Sequence, residues 1–468
     1  VSRTLVARFW IALACVSLLL SGGLAIVITG AKIPGVQALL PDIEIVRWCL
    51  VTHVNLATLV WFTAVPVGLL NFAAAPAKRV GAHAGIVGPC VSALGIAFMV
   101  FSLPGPTATP VLTNYIPVVL HPQYLLGLGL YLLGAGANFL SPGLLLPAAE
   151  EPVEGMPGLA ESRFGLWMGS TYFVLAVVTL GYALATVGES SAFPSKMFFE
   201  LVMWGCGHLL QHSSSVFLVV CWIVLLSSVR GQSVFTRREL FPVFAWLGLP
   251  ILFLPFILWE RLSSDSYRDG FTALMRWGIF PPVLFLAYRL IARNGPHTFS
   301  PRNLRADYRL AATGLSILLL ALGFVFGALI RGPDLRIPGH YHATIGAVTV
   351  AFMAACHWML SAHPAGASSP STWITRAVWT YGGGQMLFSS GMFVAGTFGL
   401  GRKTYGSEHV IKNWGQTVGM GAMAIGGLCA FSGGLFFAFA IVPRIKELIR
   451  SRAGVNADQN IPHLKSSQ

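Results

Sequence analysis

Twelve apolar stretches, each long enough to cross a hydrocarbon core of about 30 Å as a helix, organise this chain. They run over roughly 6–30, 43–72, 84–103, 117–140, 163–186, 197–228, 241–259, 270–293, 308–330, 339–361, 373–400 and 413–443. Backbone polar groups cannot stay unpaired in lipid, and no segment alternates with the period of two that barrel strands need, so each span is expected to be helical. Composition agrees, since 55% of the 468 residues are hydrophobic and only 10% are charged, whereas soluble domains carry about 25% charged residues. That balance excludes a soluble enzyme, a disordered chain and a nucleic-acid-binding module. The first stretch follows Arg3 and Arg8 but far exceeds the roughly 7–15 residues of a signal-peptide core, so it counts as a span. The expectation is an all-α polytopic membrane protein with a twelve-helix membrane domain over 1–444 and a basic cytoplasmic tail over 445–468.

The formal net charge of +13 is read first as a topology signal, not as a sign of a polyanionic partner. An even number of spans puts both termini on one side. Taking that side as cytoplasmic gives it 19 of the 30 Lys and Arg residues, including Arg3, Arg8, Lys78, Arg79, Arg163 and five between 444 and 465. The termini are therefore expected to face in. The 141–162 loop, with Glu150, Glu151, Glu154 and Glu161, runs against the bias, but acidic residues weigh little in this rule. The seven cysteines form no Cys-x-x-Cys and no Cys-x-x-Cys-His, which argues against a disulfide framework, a zinc knuckle or a covalently attached haem.

Ionisable groups inside a membrane are expensive, so they mark candidate sites. Of the twelve histidines, His83, His297, His363, His409 and His463 fall in loops or the tail, His121 opens the fourth span, and His357 lies near the inner end of the tenth. Five remain: His53, His208, His212, His340 and His342. His53 and His208 lie at similar outer-half depth, ten and eleven residues into spans that both run inward. His340 and His342 follow Ile337-Pro338-Gly339, and their depth matches only if the tenth helix starts below the membrane surface. Residues two apart on a helix point about 200° apart, so one helix carrying His340-Tyr341-His342 can ligate two different haems, one on each side.

At these residues the chain resembles subunit I of the haem-copper oxidase superfamily, which contains terminal oxidases and nitric oxide reductases. The resemblance implies that His53 and His342 ligate a low-spin haem and that His340 holds a high-spin haem. It also implies that Arg402-Lys403, after Gly399-Leu400-Gly401, binds haem propionates and that His208 ligates a second metal, copper or non-haem iron. The chain departs from the family in two ways. The adjacent His-His pair at the span-seven/eight corner is missing from Trp259-Glu260-Arg261-Leu262-Ser263-Ser264-Asp265-Ser266-Tyr267-Arg268-Asp269-Gly270, and Leu209 and Leu210 follow His208 where pumping oxidases carry a glutamate. His212, one turn beyond His208, stands where the family places a cross-linked tyrosine or a metal-ligating glutamate. It reads either as a ligand or active-site acid, or as a core histidine hydrogen-bonded among Ser213, Ser214 and Ser215. Glu260, Asp265 or Asp269 offer oxygen ligands that suit iron better than Cu(I). Arg276 is a further outer-half cation, either on a propionate or snorkelling.

The resemblance implies a respiratory oxidoreductase of the cell (inner) membrane that reduces a diatomic gas. NO to N2O is preferred over O2 to water, and a non-catalytic haem electron carrier is the remaining class. It further implies a periplasmic-facing cupredoxin or cytochrome c subunit as electron donor near Arg402. With no acidic residue in the inner halves of spans two, six, eight and ten, protons are expected from outside, or along waters and serines, with weak pumping or none.

Overall fold

The computed structural model describes residues 3–31, 43–74, 82–103, 108–145, 156–188, 194–361, 372–402 and 411–458. Among these residues the twelve stretches form twelve helices: α1 (Arg3–Gly30), α2 (Ile43–Ala73), α3 (Ala82–Phe101), α4 (Pro122–Asn138), α5 (Arg163–Thr186), α6 (Ser195–Arg230), α7 (Arg237–Leu258), α8 (Asp265–Asn294), α9 (Tyr308–Ala328), α10 (Arg336–Ser361), α11 (Thr372–Thr397) and α12 (Trp414–Asp458). By length and apolar composition ten of them qualify to cross a membrane among the described residues. The two outside that set are α3, whose apolar part Gly85–Phe101 is short, and α11, which carries Arg376, Thr380, Tyr381 and Gln385.

Two helix ends and one helix interior differ from the sequence expectation. The fourth helix starts at Pro122 and not near 117, because Val118–Leu120 pairs antiparallel with Thr109–Val111 as a two-stranded hairpin, β1 and β2. Proline suits the first helical position, where no N–H is needed, and it holds the preceding His121 in an extended conformation. α7 is interrupted by a tighter 3-10 turn over Leu249–Phe253, with Pro250 inside it and Pro255 just after it. The last helix continues through the expected boundary at 444 to Asp458, so the basic tail begins as an extension of α12.

With lipid on the outside there is little hydrophobic drive between helices, and close backbone approach decides which pairs pack. Glycines seven apart create two such seams. Gly88 and Gly95 on α3 face Gly127 and Gly134 on α4, and a Cβ on Gly95 would lie 2.5 Å from the Gly127 carbonyl oxygen. Gly384 and Gly391 on α11 meet Gly426 and Gly419 on α12 in the same way, and Gly433 lies against the Tyr381 backbone.

Burial sorts the helices further. The most apolar windows of α2, α10 and α6 are 89%, 83% and 78% buried inside the protein, against 56% or less for the other seven qualifying spans. The three helices that carry the five candidate histidines are therefore the most buried of the ten qualifying spans. The ends of neighbouring helices are tied by polar contacts. Thr236 and Glu239 form a capping box at the start of α7, and Glu239 also accepts from Arg293 of α8 at 3.0 Å.

Candidate functional site

Three of the five candidate histidines share one local geometry. His53, on α2, places Nδ1 2.9 Å from the carbonyl oxygen of Ser21 on α1. His208 places Nδ1 2.9 Å from the Trp204 carbonyl one turn back on α6, and His340 places Nδ1 2.7 Å from the Gly323 carbonyl of α9. A carbonyl oxygen only accepts, so each Nδ1 carries the proton and each Nε2 is left with its lone pair. Ligating histidines almost always have this outer hydrogen bond, which fixes the tautomer and the ring's direction.

Each geometry has a local cause. His53 sits in the last turn before a π-helical stretch, Asn55–Val60, a rare wide turn that often accompanies functional sites. His340 lies against Gly327, where a Cβ would come within 2.8 Å of Nδ1. The start of α10 is set by a link to the end of α11. Leu335 N–H donates to the Leu400 carbonyl at 3.1 Å, Asp334 forms a β-bridge with Gly401, and Asp334 accepts from the Arg336 guanidinium at 2.6 Å. Burial raises the Asp334 pKa, but hydrogen bonds and charge from Arg336 outweigh it and hold the carboxyl below its ordinary range. This link places Arg402 and Arg336 at the same end of the bundle as His340. His342 turns away from its neighbour's partners, its ring 5.0 Å from Phe388 of α11 in an edge contact. The two histidines of the His-x-His thus face different helices, α9 and α11. Lys403 lies outside the described residues.

His208 is buried, and its Nε2 is 3.0 Å from the hydroxyl of Tyr115, a residue of the β1–β2 turn. The Tyr115, Trp204 and Phe271 rings surround it at 4.8, 4.9 and 5.8 Å. Burial first, and then the Glu200 carboxylate, push the Tyr115 phenol well above its ordinary pKa, so the hydroxyl stays protonated and donates to Nε2. His212 is also buried but has different surroundings. Its ring stacks on Tyr172 at 4.7 Å, its Cε1 faces Gly278 of α8, and neither nitrogen has a hydrogen-bond partner among the described residues. The serine contacts open at the sequence level go elsewhere: Ser213 donates to the Gly169 carbonyl and Ser214 to that of Leu210.

These residues fit two haems better than they fit a second metal. The donors for haem are imidazoles with oriented Nε2 atoms on the innermost helices. For a second metal, no group of three His, Cys, Asp or Glu is placed to hold one among the described residues. Glu260, Asp265 and Asp269 are exposed, whereas His208 and His212 are buried, so the carboxylates expected to complete an oxygen-rich site do not reach it. Arg276 is exposed as well.

Above His208 a cleft of about 680 Å³ opens between Asn114, Lys196, Glu200, Trp204, Arg268 and Arg402. Arg268 lies over the Trp204 ring at 5.2 Å. Glu200 accepts from the Asn114 backbone N–H at 3.0 Å and from its side-chain amide. Sequence reasoning had no place for Tyr115. The available signals were Gly207, whose missing side chain makes room for the phenol, and an aromatic residue in a turn flanked by Pro110 and Pro117.

No protein-family model matches the chain. An uncharacterized protein of Rickettsia prowazekii (strain Madrid E) is 24% identical over 494 residues, covering 92% of this chain and 94% of that protein. An uncharacterized protein of Aquifex aeolicus (strain VF5) is 24% identical over 355 residues, covering 74% and 82%. In three dimensions the chain is similar to a heme-copper terminal oxidase solved as a dimer by cryo-EM. The TM-score is 0.72 and the identity 16%, over 95% of this chain and 84% of that one. The chain has the fold of that oxidase, a polytopic helical bundle.

Proposed function

We propose that this protein is the haem-bearing catalytic subunit of a respiratory oxidoreductase in the cell (inner) membrane, with its termini in the cytoplasm, and that it reduces NO to N2O. The observation that carries the reading is the shared geometry of His53 and His340: Nδ1–H on a backbone carbonyl, Nε2 free to accept, on two of the three most buried helices. The fold shared with a terminal oxidase supports it.

His53 and His342 would hold a low-spin haem, and His340 a high-spin haem. Bound there, a haem with two imidazoles passes electrons, and one with a single imidazole leaves a sixth position for a diatomic gas. Arg402 and Lys403 would hold propionates by charge-assisted hydrogen bonds, which gain strength away from bulk water. The Ser21, Trp204 and Gly323 carbonyls keep the three rings from turning. The cationic side chains of the outer cleft, Lys196, Arg268 and Arg402, mark the face on which a cupredoxin or cytochrome c subunit would deliver electrons.

NO is preferred on electron count. Reducing two NO to N2O and water takes two electrons and two protons, the number that two one-electron groups store, whereas reducing O2 to water takes four. The second reading, O2 reduction, is favoured by the solved neighbour, itself a terminal oxidase. Purified protein under an artificial reductant, followed with NO and O2 electrodes beside a haem assay, separates these readings. NO consumption by a protein with two haems per chain is expected. Steady O2 consumption without NO turnover selects the second reading, and haem with neither activity leaves an electron carrier. A chain that binds no haem ends the proposal.

Proton uptake belongs to the same reading. The inner halves of α2, α6, α8 and α10 carry no Asp or Glu, so turnover in reconstituted vesicles is expected to release no protons beyond background. Robust outward release would contradict it.

A further inference from the structure

We propose that a hydrogen-bonded pair, Tyr115 and His208, takes the place of the second metal, leaving the gas site with no metal besides haem iron. This rests on the haem reading above.

A metal on His208 must use Nε2, because Nδ1 carries a proton held by the Trp204 carbonyl. That lone pair is already taken by the Tyr115 hydroxyl at 3.0 Å. A metal–nitrogen bond of about 2.0–2.1 Å would put the ion against the phenol oxygen, so metal and phenol compete for one position.

The phenol is held from both sides. Asn114, just before it, is fixed by Glu200, and Pro117, just after it, accepts from the Asn55 side-chain amide at 2.7 Å. Asn55 opens the π-helical stretch of α2, so the turn that carries Tyr115 is tied to the helix that carries His53. A side chain on Gly207 would collide with Tyr115 at Cγ, Cβ and Cδ1, so the glycine leaves the room that Tyr115 occupies.

Among the described residues no group of three His, Cys, Asp or Glu is placed to hold a metal. The other rings packed on His208 are Trp204 and Phe271. His212 is one turn further on, with its ring between Tyr172 and Gly278, and it shares none of these neighbours. In this arrangement Tyr115 supplies the polar group of the pocket, and His208 is a positioning residue that holds it.

The test uses the purified holoprotein, with metal analysis for iron, copper, zinc and manganese, and carbon monoxide as a probe of the reduced haem. Two iron atoms per chain and no further metal are expected, and His208→Ala and Tyr115→Phe should keep that inventory. Tyr115→Phe should shift the C–O stretching frequency, because the stretch responds to a nearby hydroxyl dipole while haem content stays the same. A third metal atom that disappears in His208→Ala overturns the inference, as does a C–O stretch unmoved by Tyr115→Phe. Haem-free protein is a different result, and it ends the functional reading as well.

Discussion

Replacing His340 by alanine is expected to halve the haem content, from two per chain to one, and to abolish gas reduction while the low-spin spectrum persists. The reason is geometric. His340 and His342 sit on one helix but face different neighbours, the first against Gly323 and Gly327 of α9 and the second against Phe388 of α11. Loss of one ring therefore empties one site and leaves the other intact. Gly327→Val grades the effect. A side chain there collides with the His340 ring, and disturbing a ligand's outer support typically lowers affinity by about 10–100-fold. Haem quantification with low-temperature absorption or magnetic circular dichroism reads both variants. Full haem content in His340→Ala, or equal loss of both signals, would rule out the assignment.

Gly426→Val is expected to destabilise the protein by about 3 kcal/mol, near the upper end of the usual overpacking penalty, and to weaken the low-spin haem site with it. A Cβ on Gly426 meets the backbone of Phe388, which no rotamer change relieves. Phe388 in turn packs on the His342 ring, so moving one moves the other. Gly421 provides the control. It lies on the same helix, where a Cβ would meet nothing within 4 Å, and Gly421→Ala should raise stability slightly through its better helix propensity. Thermal unfolding in detergent, followed by haem absorbance, compares the two. Equal behaviour of Gly426→Val and Gly421→Ala would show that the α11–α12 seam does not set the site.

The spans were legible because hydropathy belongs to a single segment: each of the twelve apolar stretches folds as a helix. The seven-residue glycine spacing was equally present in the sequence, at 384 and 391 and at 419, 426 and 433, but it acquires meaning only once the facing helix is known. Boundaries at prolines were less legible. Pro117 and Pro122 bracket a strand where an apolar run reads as helix, because a short run of Val and Leu serves either structure.

The candidate ligands His53, His208, His340 and His342 could be picked out by type and depth, since an ionisable group in lipid is rare. Their orientation could not. Nothing in the chain order announces that Ser21, Trp204 and Gly323 lend carbonyls to three imidazoles, or that Tyr115 reaches His208 across ninety-three residues. The sequence alone determined that this chain is a helical membrane bundle with histidines inside its apolar spans, since both properties come from local composition. The tertiary structure alone decided which nitrogen each histidine presents, which helices lie innermost, and that His208 and His212 have separate surroundings. Those are relations between residues far apart in the chain, set by how closely glycine-faced helices approach and by which carbonyls are left to accept.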